Sequence, residues 1–256
     1  AEVHIIPVLQ DNYSYLFVDR QTGTISCVDP GDAAPVLEKM DQLLANDRLA
    51  TLRFIFCTHR HWDHVDGNED ILRAFPEVKI IGTAYEPIPF SNGTLSHGEH
   101  LQVGSLKVEA MHTPCHTKGH TCYLVSGPKG DPLLFSGDTL FAGGCGRFFE
   151  GSAADMLRNM DLISALPGET QIYCGHEYTL SNADFLKSID PENLYEYCNK
   201  FKELRDADMP TVPTTLEEEM SYNLFMKCND RATQELMGVS SAVDAMKSLR
   251  ELKNAY

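Results

Sequence analysis

The sequence of 256 residues lacks the signals of several protein classes. It has no run of about 18 apolar residues, so no segment reads as a membrane-spanning helix. The opening Ala1-Glu2-Val3-His4-Ile5 has neither the basic start nor the apolar stretch of a secretory signal. No initiator Met is present, so a trimmed or processed start is left open. Basic residues are scarce: 21 Lys and Arg face 37 Asp and Glu, a formal charge of -16. A global attraction to nucleic acid or to an anionic membrane surface is therefore not expected. The eight cysteines, at 27, 57, 115, 122, 145, 174, 198 and 228, form no C-x-x-C pair. They read as reduced, mostly buried thiols of a cytoplasmic or organellar protein, not as a disulfide framework. No internal repeat and no low-complexity tract appears.

Apolar residues make up 43% of the chain, enough for a sizeable core. Through about residue 175, short apolar runs recur between turn signals: Val3–Leu9, Tyr13–Asp19, Thr24–Asp29, Leu52–Cys57, Val78–Ile81, Leu106–Met111, Thr121–Val125, Pro132–Phe135 and Gln171–Tyr173. The nearly continuous run Leu52–Cys57 reads as a strand buried on both faces. Helical spacing marks Ala33–Asn46, and helices are expected at Gly67–Ala74 and Ala153–Ala165. Beyond about residue 180 the texture turns helical, over Ala183–Lys187, Asn193–Asp206, Leu216–Glu219 and Ala242–Asn254, with Pro210 and Pro213 breaking the run. Many strands with few helices suggest an α/β fold of two packed sheets with helices outside, followed by a helical subdomain. The expected division is 1–178 and 179–256.

The strongest chemical signal is Thr58-His59-Arg60-His61-Trp62-Asp63-His64, which directly follows the Leu52–Cys57 run. Alternate residues of an extended chain point the same way, so His59, His61 and Asp63 are expected on one side, and His64 on another, serving a second ion. Three further segments place polar ligands just past apolar strands: Thr113–His120, Ser136–Thr139 and Cys174–Tyr178. Open α/β sheets build their sites at such positions. Gly137 and Gly175 permit tight turns beside them. Imidazole with carboxylate suits zinc, iron or manganese, and a carboxylate can bridge two cations that share a hydroxide.

The His-x-His-x-Asp-His motif and these three segments resemble the metallo-β-lactamase superfamily. Within it, nearly the whole chain resembles the glyoxalase II (hydroxyacylglutathione hydrolase) family. The resemblance runs through Asp11-Asn12-Tyr13, Gly144-Cys145-Gly146, Gly175–Thr179, Pro210–Thr215 and the C-terminal helices. It implies a four-layer αββα sandwich of two mixed sheets with a C-terminal helical subdomain. It implies one metal on His59, His61 and His116, a second on Asp63, His64 and His176, and Asp138 bridging them, with His120 beside the site rather than in it. Zinc is the expected metal, with iron or manganese as alternatives. The implied reaction is hydrolysis of an S-(2-hydroxyacyl)glutathione thioester, typically S-D-lactoylglutathione, by a hydroxide between two metals. Asp63 and Asp138 are the implied catalytic residues.

Glutathione carries two carboxylates, and the family pattern places cations at Arg147, Arg250 and Lys253. Arg250 and Lys253 are three apart, hence neighbours on one helical face. Tyr178 is expected to donate a hydrogen bond to the peptide part. Arg147 stands where many relatives have Lys, and Phe149 where some have Tyr. The implied partner is the glutathione thioester alone, with no nucleic acid and no membrane, acting on a monomer in the cytoplasm, with a mitochondrial location left open. Competing readings are a β-lactam hydrolase, a single-iron sulfur dioxygenase of the same superfamily, a two-metal phosphodiesterase and a non-catalytic glutathione binder. The basic C-terminal helix separates the first two from the thioesterase, and the acidic charge disfavours the third. His4, His97, His100 and His112 are expected to be packing or surface residues.

Overall fold

The computed structural model describes residues 1–46, 50–128, 130–191 and 195–256. The first sheet runs β1 (Glu2–Val8), β2 (Asn12–Asp19), β3 (Thr24–Val28), β4 (Thr51–Phe56), β5 (Lys79–Thr83) and β6 (Gly93–Leu95), in that spatial order. Its first three strands form an antiparallel meander, and β3 to β6 are parallel. Between these strands lie α1 (Ala33–Asn46), the four-residue α2 (Trp62–Val65) and α3 (Asn68–Ala74). The second sheet is built from β7 (His100–Val103), β8 (Leu106–His112), β9 (Thr121–Ser126), β10 (Leu133–Gly137), β13 (Gln171–Cys174) and β14 (Thr214–Thr215), ordered β14-β13-β10-β9-β8-β7. A small hairpin, β11 (Leu140–Phe141) and β12 (Gly144–Cys145), projects from the end of β10. The remaining helices are α4 (Ala153–Ser164), α5 (Thr179–Ile189), α6 (Tyr195–Asp206), α7 (Leu216–Tyr222), α8 (Arg231–Leu236) and α9 (Ala242–Ala255).

Three apolar layers make the four-layer sandwich expected from the sequence. Val36 and Met40 of α1 and Ile71 of α3 bury against Leu16, Ile25 and Ile55 of the first sheet. The two sheets meet through aromatic rings, with Phe17 5.5 Å from Phe135 and Phe56 5.1 Å from Tyr123 between centroids. Burying each such ring is worth roughly 1.5–3 kcal/mol, so the strand ends are fixed by the core rather than by their loops. The outer face of the second sheet packs on α4 and the C-terminal helices through Met156, Met160, Phe185, Leu216, Phe225 and Leu249. Ser152 and Thr215 cap α4 and α7 with capping boxes completed by Asp155 and Glu218.

Most expected elements are found within a few residues of their bounds. The α6 start expected at Asn193 lies outside the described residues. The Leu52–Cys57 strand is less enclosed than expected, because Arg53 is exposed. Not anticipated were β6, β7, β11, β12, β14, α2 and α8. Most are too short to carry a period. The C-terminal region is not purely helical, since β14 adds an edge strand to the second sheet by pairing with β13. No helix among the described residues is long and apolar enough to cross a membrane.

Candidate metal centre

Every polar cluster singled out in the sequence lies just past a strand, and the strands deliver them to one place. Thr58 to His64 follows β4, Thr113 to His120 follows β8, Asp138 follows β10 and His176 follows β13. Gly137 and Gly175 make this convergence possible. Gly137 has φ +47, and a Cβ there would come within 2.5 Å of Thr58 Oγ1 and 2.8 Å of His120 Nε2. A Cβ on Gly175 would stand 2.4 Å from Asp138 Oδ1. No side chain fits at either position.

The residues that could hold cations gather into adjoining sets: His59, His61 and His116; Asp63, His64 and His176; and His59, His64 and Asp138. Both His59 Nε2 and His116 Nε2 lie 3.0 Å from His61 Nδ1. His64 Nε2 lies 3.3 Å from His176 Nε2. Asp63 Oδ2 is 3.5 Å from His176 Nε2 and 3.6 Å from His64 Nε2. Asp138 stands between the sets, with Oδ2 3.3 Å from His116 Nε2 and 3.4 Å from His176 Nε2, and Oδ1 3.4 Å from His64 Nε2. One expectation is corrected here. Asp63 does not share a side with His59 and His61, because the chain leaves its extended course after His61 and enters α2. The helix turns Asp63 toward His64 and His176.

The outward nitrogens fix the tautomers. Thr58 Oγ1 donates to Asp29 Oδ2 at 2.7 Å, so its oxygen accepts from His59 Nδ1 at 3.0 Å. His64 Nδ1 donates to Asp29 Oδ2 at 3.0 Å, His116 Nδ1 to the Arg147 carbonyl at 3.1 Å and His176 Nδ1 to Asp11 Oδ1 at 2.9 Å. In these four rings it is therefore Nε2 that faces the cluster. Asn12 Nδ2 donates to Asp63 Oδ2 at 2.9 Å and to its carbonyl at 3.1 Å. His120 is not among the inward nitrogens. Its Nε2 accepts from the Asp138 N–H at 3.0 Å, and its Nδ1 faces Thr113 and Thr139 at 2.9 and 3.0 Å. It thus fixes the backbone from which Asp138 projects.

This donor set fits cations. Converging lone pairs at such separations repel one another unless a positive charge lies among them, and Asp138 Oδ1 is buried without a hydrogen-bond partner. Burial lowers the affinity of His59, His61 and His116 for a proton, which keeps them neutral, as metal ligands must be. The second set sits in a different field. Burial opposes the charging of His64, but Asp138, Asp29 and Asp63 together raise it to about 9. His176 is likewise raised against its burial by Asp138 and Asp11. Burial also opposes the ionisation of Asp138, yet His64, His176 and His116 hold its carboxyl well below the usual range.

A cavity of about 810 Å³ opens on this cluster. Arg147, Phe149, Tyr178, Arg250 and Lys253 all line it, with Trp62, Ser181, Asn182, Asn254 and Tyr256. Phe149 lies 5.0 Å from the His116 ring, and Tyr178 stacks on His176 at 4.6 Å and 5°. Arg250 is buried and donates to the Cys145 carbonyl at 2.8 Å, while its Nε has no partner. Lys253 donates to Ser181 O and Oγ at 2.7 and 2.8 Å. Burial and then the neighbouring Arg250 bring Lys253 down to about 8.

Asp29 and Asp11 carry functional contacts that sequence reasoning did not assign. Asp29 also accepts from Thr58 N at 2.7 Å and takes a left-handed φ of +48. Both follow strand ends, the signal that exposed the other clusters. Of the remaining histidines, His112 stacks on Tyr85 at 3.7 Å, the His112 N–H donates to His97 Nδ1, and His4 lies 3.1 Å from Glu2.

Two stacked mixed sheets with a histidine–aspartate cluster at their strand ends define the metallo-β-lactamase class of metal-dependent proteins. The profile described as "Metallo-beta-lactamase superfamily" matches residues 11–176, and that described as "Hydroxyacylglutathione hydrolase C-terminus" matches 177–256. A protein of Arabidopsis thaliana named "Hydroxyacylglutathione hydrolase cytoplasmic" is 41% identical, covering 98% of this chain and 97% of its own. A "Hydroxyacylglutathione hydrolase-like protein" of Gallus gallus is 38% identical over 100% of this chain and 90% of its own. The crystal structure of ETHE1 from Myxococcus xanthus shares the fold, with a TM-score of 0.69 at 23% identity over 99% of this chain and 90% of that one. Within the superfamily, the chain belongs to the hydroxyacylglutathione hydrolase family.

Proposed function

We propose that this protein hydrolyses S-(2-hydroxyacyl)glutathione thioesters, with S-D-lactoylglutathione as the typical substrate, releasing glutathione and a 2-hydroxy acid such as D-lactate. The observation that carries this reading is that one cavity joins both ligand sets to three cationic side chains, Arg147, Arg250 and Lys253. A dicarboxylate thiol ester has matching needs at its two ends.

Two cations, zinc first and iron or manganese as alternatives, would be held by His59, His61 and His116 on one side and by Asp63, His64 and His176 on the other, with Asp138 between these sets. Bound there, such ions supply a hydroxide at neutral pH and stabilise the charge that develops on a carbonyl oxygen. The chain's own residues do the rest. Arg147, Arg250 and Lys253 bind the carboxylates and set the thioester over the cluster. Phe149 and Tyr178 flank it from the two sides and restrict water. Asn12 holds the Asp63 carboxylate through Oδ2, and that carboxylate orients the attacking water and takes its proton. Asp138, fixed through His120, holds the two ligand sets in register. Water adds at the carbonyl carbon and the C–S bond breaks. A glutathione-like thiol has a pKa near 8.5, so it departs as thiolate without a strong acid.

Both ligand sets and the three cations come from one chain, so the proposed reaction needs no residue from a second copy, and a monomer is the proposed state. The eight free thiols and the compartment in the name of the Arabidopsis relative support the cytoplasm. The test is turnover of S-D-lactoylglutathione before and after chelation, with metals counted by elemental analysis. Chelator-sensitive turnover with about two metals per chain is expected. A full metal complement without turnover would remove the substrate and bring the sulfur dioxygenase reading forward.

A further inference from the structure

Arg60 stands between His59 and His61 and turns its side chain away from the cavity toward two carboxylates. Nη1 donates to Glu86 Oε2 at 2.9 Å and to Glu150 Oε2 at 3.2 Å, and Nη2 donates to Glu150 Oε1 at 2.5 Å. The Glu86 side chain is 5% exposed. It also accepts from Arg60 N at 2.9 Å, Thr117 Oγ1 at 3.0 Å and Gly119 N at 3.1 Å. Glu150 accepts from Lys118 N at 2.8 Å, and its own N–H donates to Cys115 O at 3.1 Å.

Through these two carboxylates one guanidinium thus ties together four segments: the loop bearing His59 and His61, the turn bearing Glu86, the loop bearing His116, and the strap from Gly146 to Glu150. The strap supplies the carbonyl that orients His116 and carries the Phe149 ring, 6.0 Å from His61 and 5.0 Å from His116. The other set depends on different partners, since Asp63, His64 and His176 are held by Asn12, Asp29 and Asp11.

We infer that Arg60, acting through Glu86 and Glu150, is a positioning residue for the three-histidine set and for the strap that presents Arg147 and Phe149 to substrate. The inference rests on the metal reading above. A planar fork engages two carboxylates at once, which an ammonium does not reproduce. Glu86 in turn satisfies donors from both histidine loops, and its loss would leave them unpaired.

The test measures zinc affinity of the full chain by competition with a chromophoric chelator in two backgrounds. Asp63→Ala leaves the three-histidine set intact, and His61→Ala leaves the other. Arg60→Ala is expected to weaken zinc retention about 10–100-fold in the first background. In the second it should do no more than Arg73→Ala, an exposed arginine far from the cluster. Glu86→Gln, which keeps the shape, should show the same selectivity, and Arg60→Lys should recover only part of the loss. In the otherwise unsubstituted enzyme, Arg60→Ala should raise KM as well as lower kcat, because the strap carries substrate contacts. Equal losses in both backgrounds, or none, would overturn the inference. Failure of the unsubstituted chain to retain zinc would instead sink the metal reading beneath it.

Discussion

The two walls of the cavity are built on opposite plans. On the metal wall, His59, His64, His116, His176 and Asp63 each have a second partner, and most of the cluster is buried. On the cationic wall, Arg250 is buried but Arg147 is exposed and Lys253 half-buried, and the anchors are two carbonyls and a hydroxyl. Chemistry needs geometry fixed before substrate arrives, whereas grip on a flexible peptide tolerates adjustment. Substitutions on the first wall should therefore lower kcat and metal content, and those on the second should raise KM.

The largest effect is expected from Asp138→Ala, which removes the carboxylate that, among the described residues, faces both sets. Turnover should fall more than about 1000-fold, several kcal/mol of lost stabilisation, with a matching loss of metal on elemental analysis. Retention of full activity and full metal would break the site description. Asp29→Ala, which frees His64 and Thr58 together, should cost about 10–100-fold in metal affinity or activity. Lys253→Met should raise KM about tenfold, near 1.4 kcal/mol, with kcat and metal content unchanged. A fall in kcat as deep as that of Asp138→Ala would show that the two walls are not separate in role.

A pH profile sharpens the same contrast. Lys253 is brought down from 10.5 to about 8. It is charged below that pH and neutral above it, so its hold on a carboxylate should fade as pH rises through 8. KM should climb there, and Lys253→Arg should abolish the climb because guanidinium stays charged. The smallest change is Phe149→Tyr. The added hydroxyl should lower KM about 2- to 10-fold, equivalent to roughly 0.5–1.5 kcal/mol. No change would mean that the ring alone matters at that position.

The histidine–aspartate segments were legible in the sequence because they group locally, each just beyond an apolar run, while their division into two metal sets came from the family resemblance. The Asp63 error came from carrying two-residue alternation past the point where the chain coils into α2. Asp29 and Asp11 escaped notice because their partners lie 35 and 165 positions away. Only tertiary structure makes those pairs. Arg250 and Lys253 were readable as helical neighbours, yet nothing local shows that Arg250 is buried against Cys145 or that Lys253 reaches Ser181. The two-residue strands carry no period to read, and β14 exists only because β13 offers it an edge.

That edge has a consequence for how the protein can be divided. β13 ends at the residue before Gly175 and His176, and its outer side is covered by Thr214 and Thr215. Glu177, beside His176, accepts from Tyr13 at 2.5 Å and from Thr211 N at 3.0 Å. A fragment ending near residue 178 would bare an unpaired strand and free the segment that carries His176. The parts 1–178 and 179–256 expected from the sequence would then not be separate folding units. Exchanging the C-terminal helices between relatives to alter specificity should require that the short strand and Thr211 travel with them.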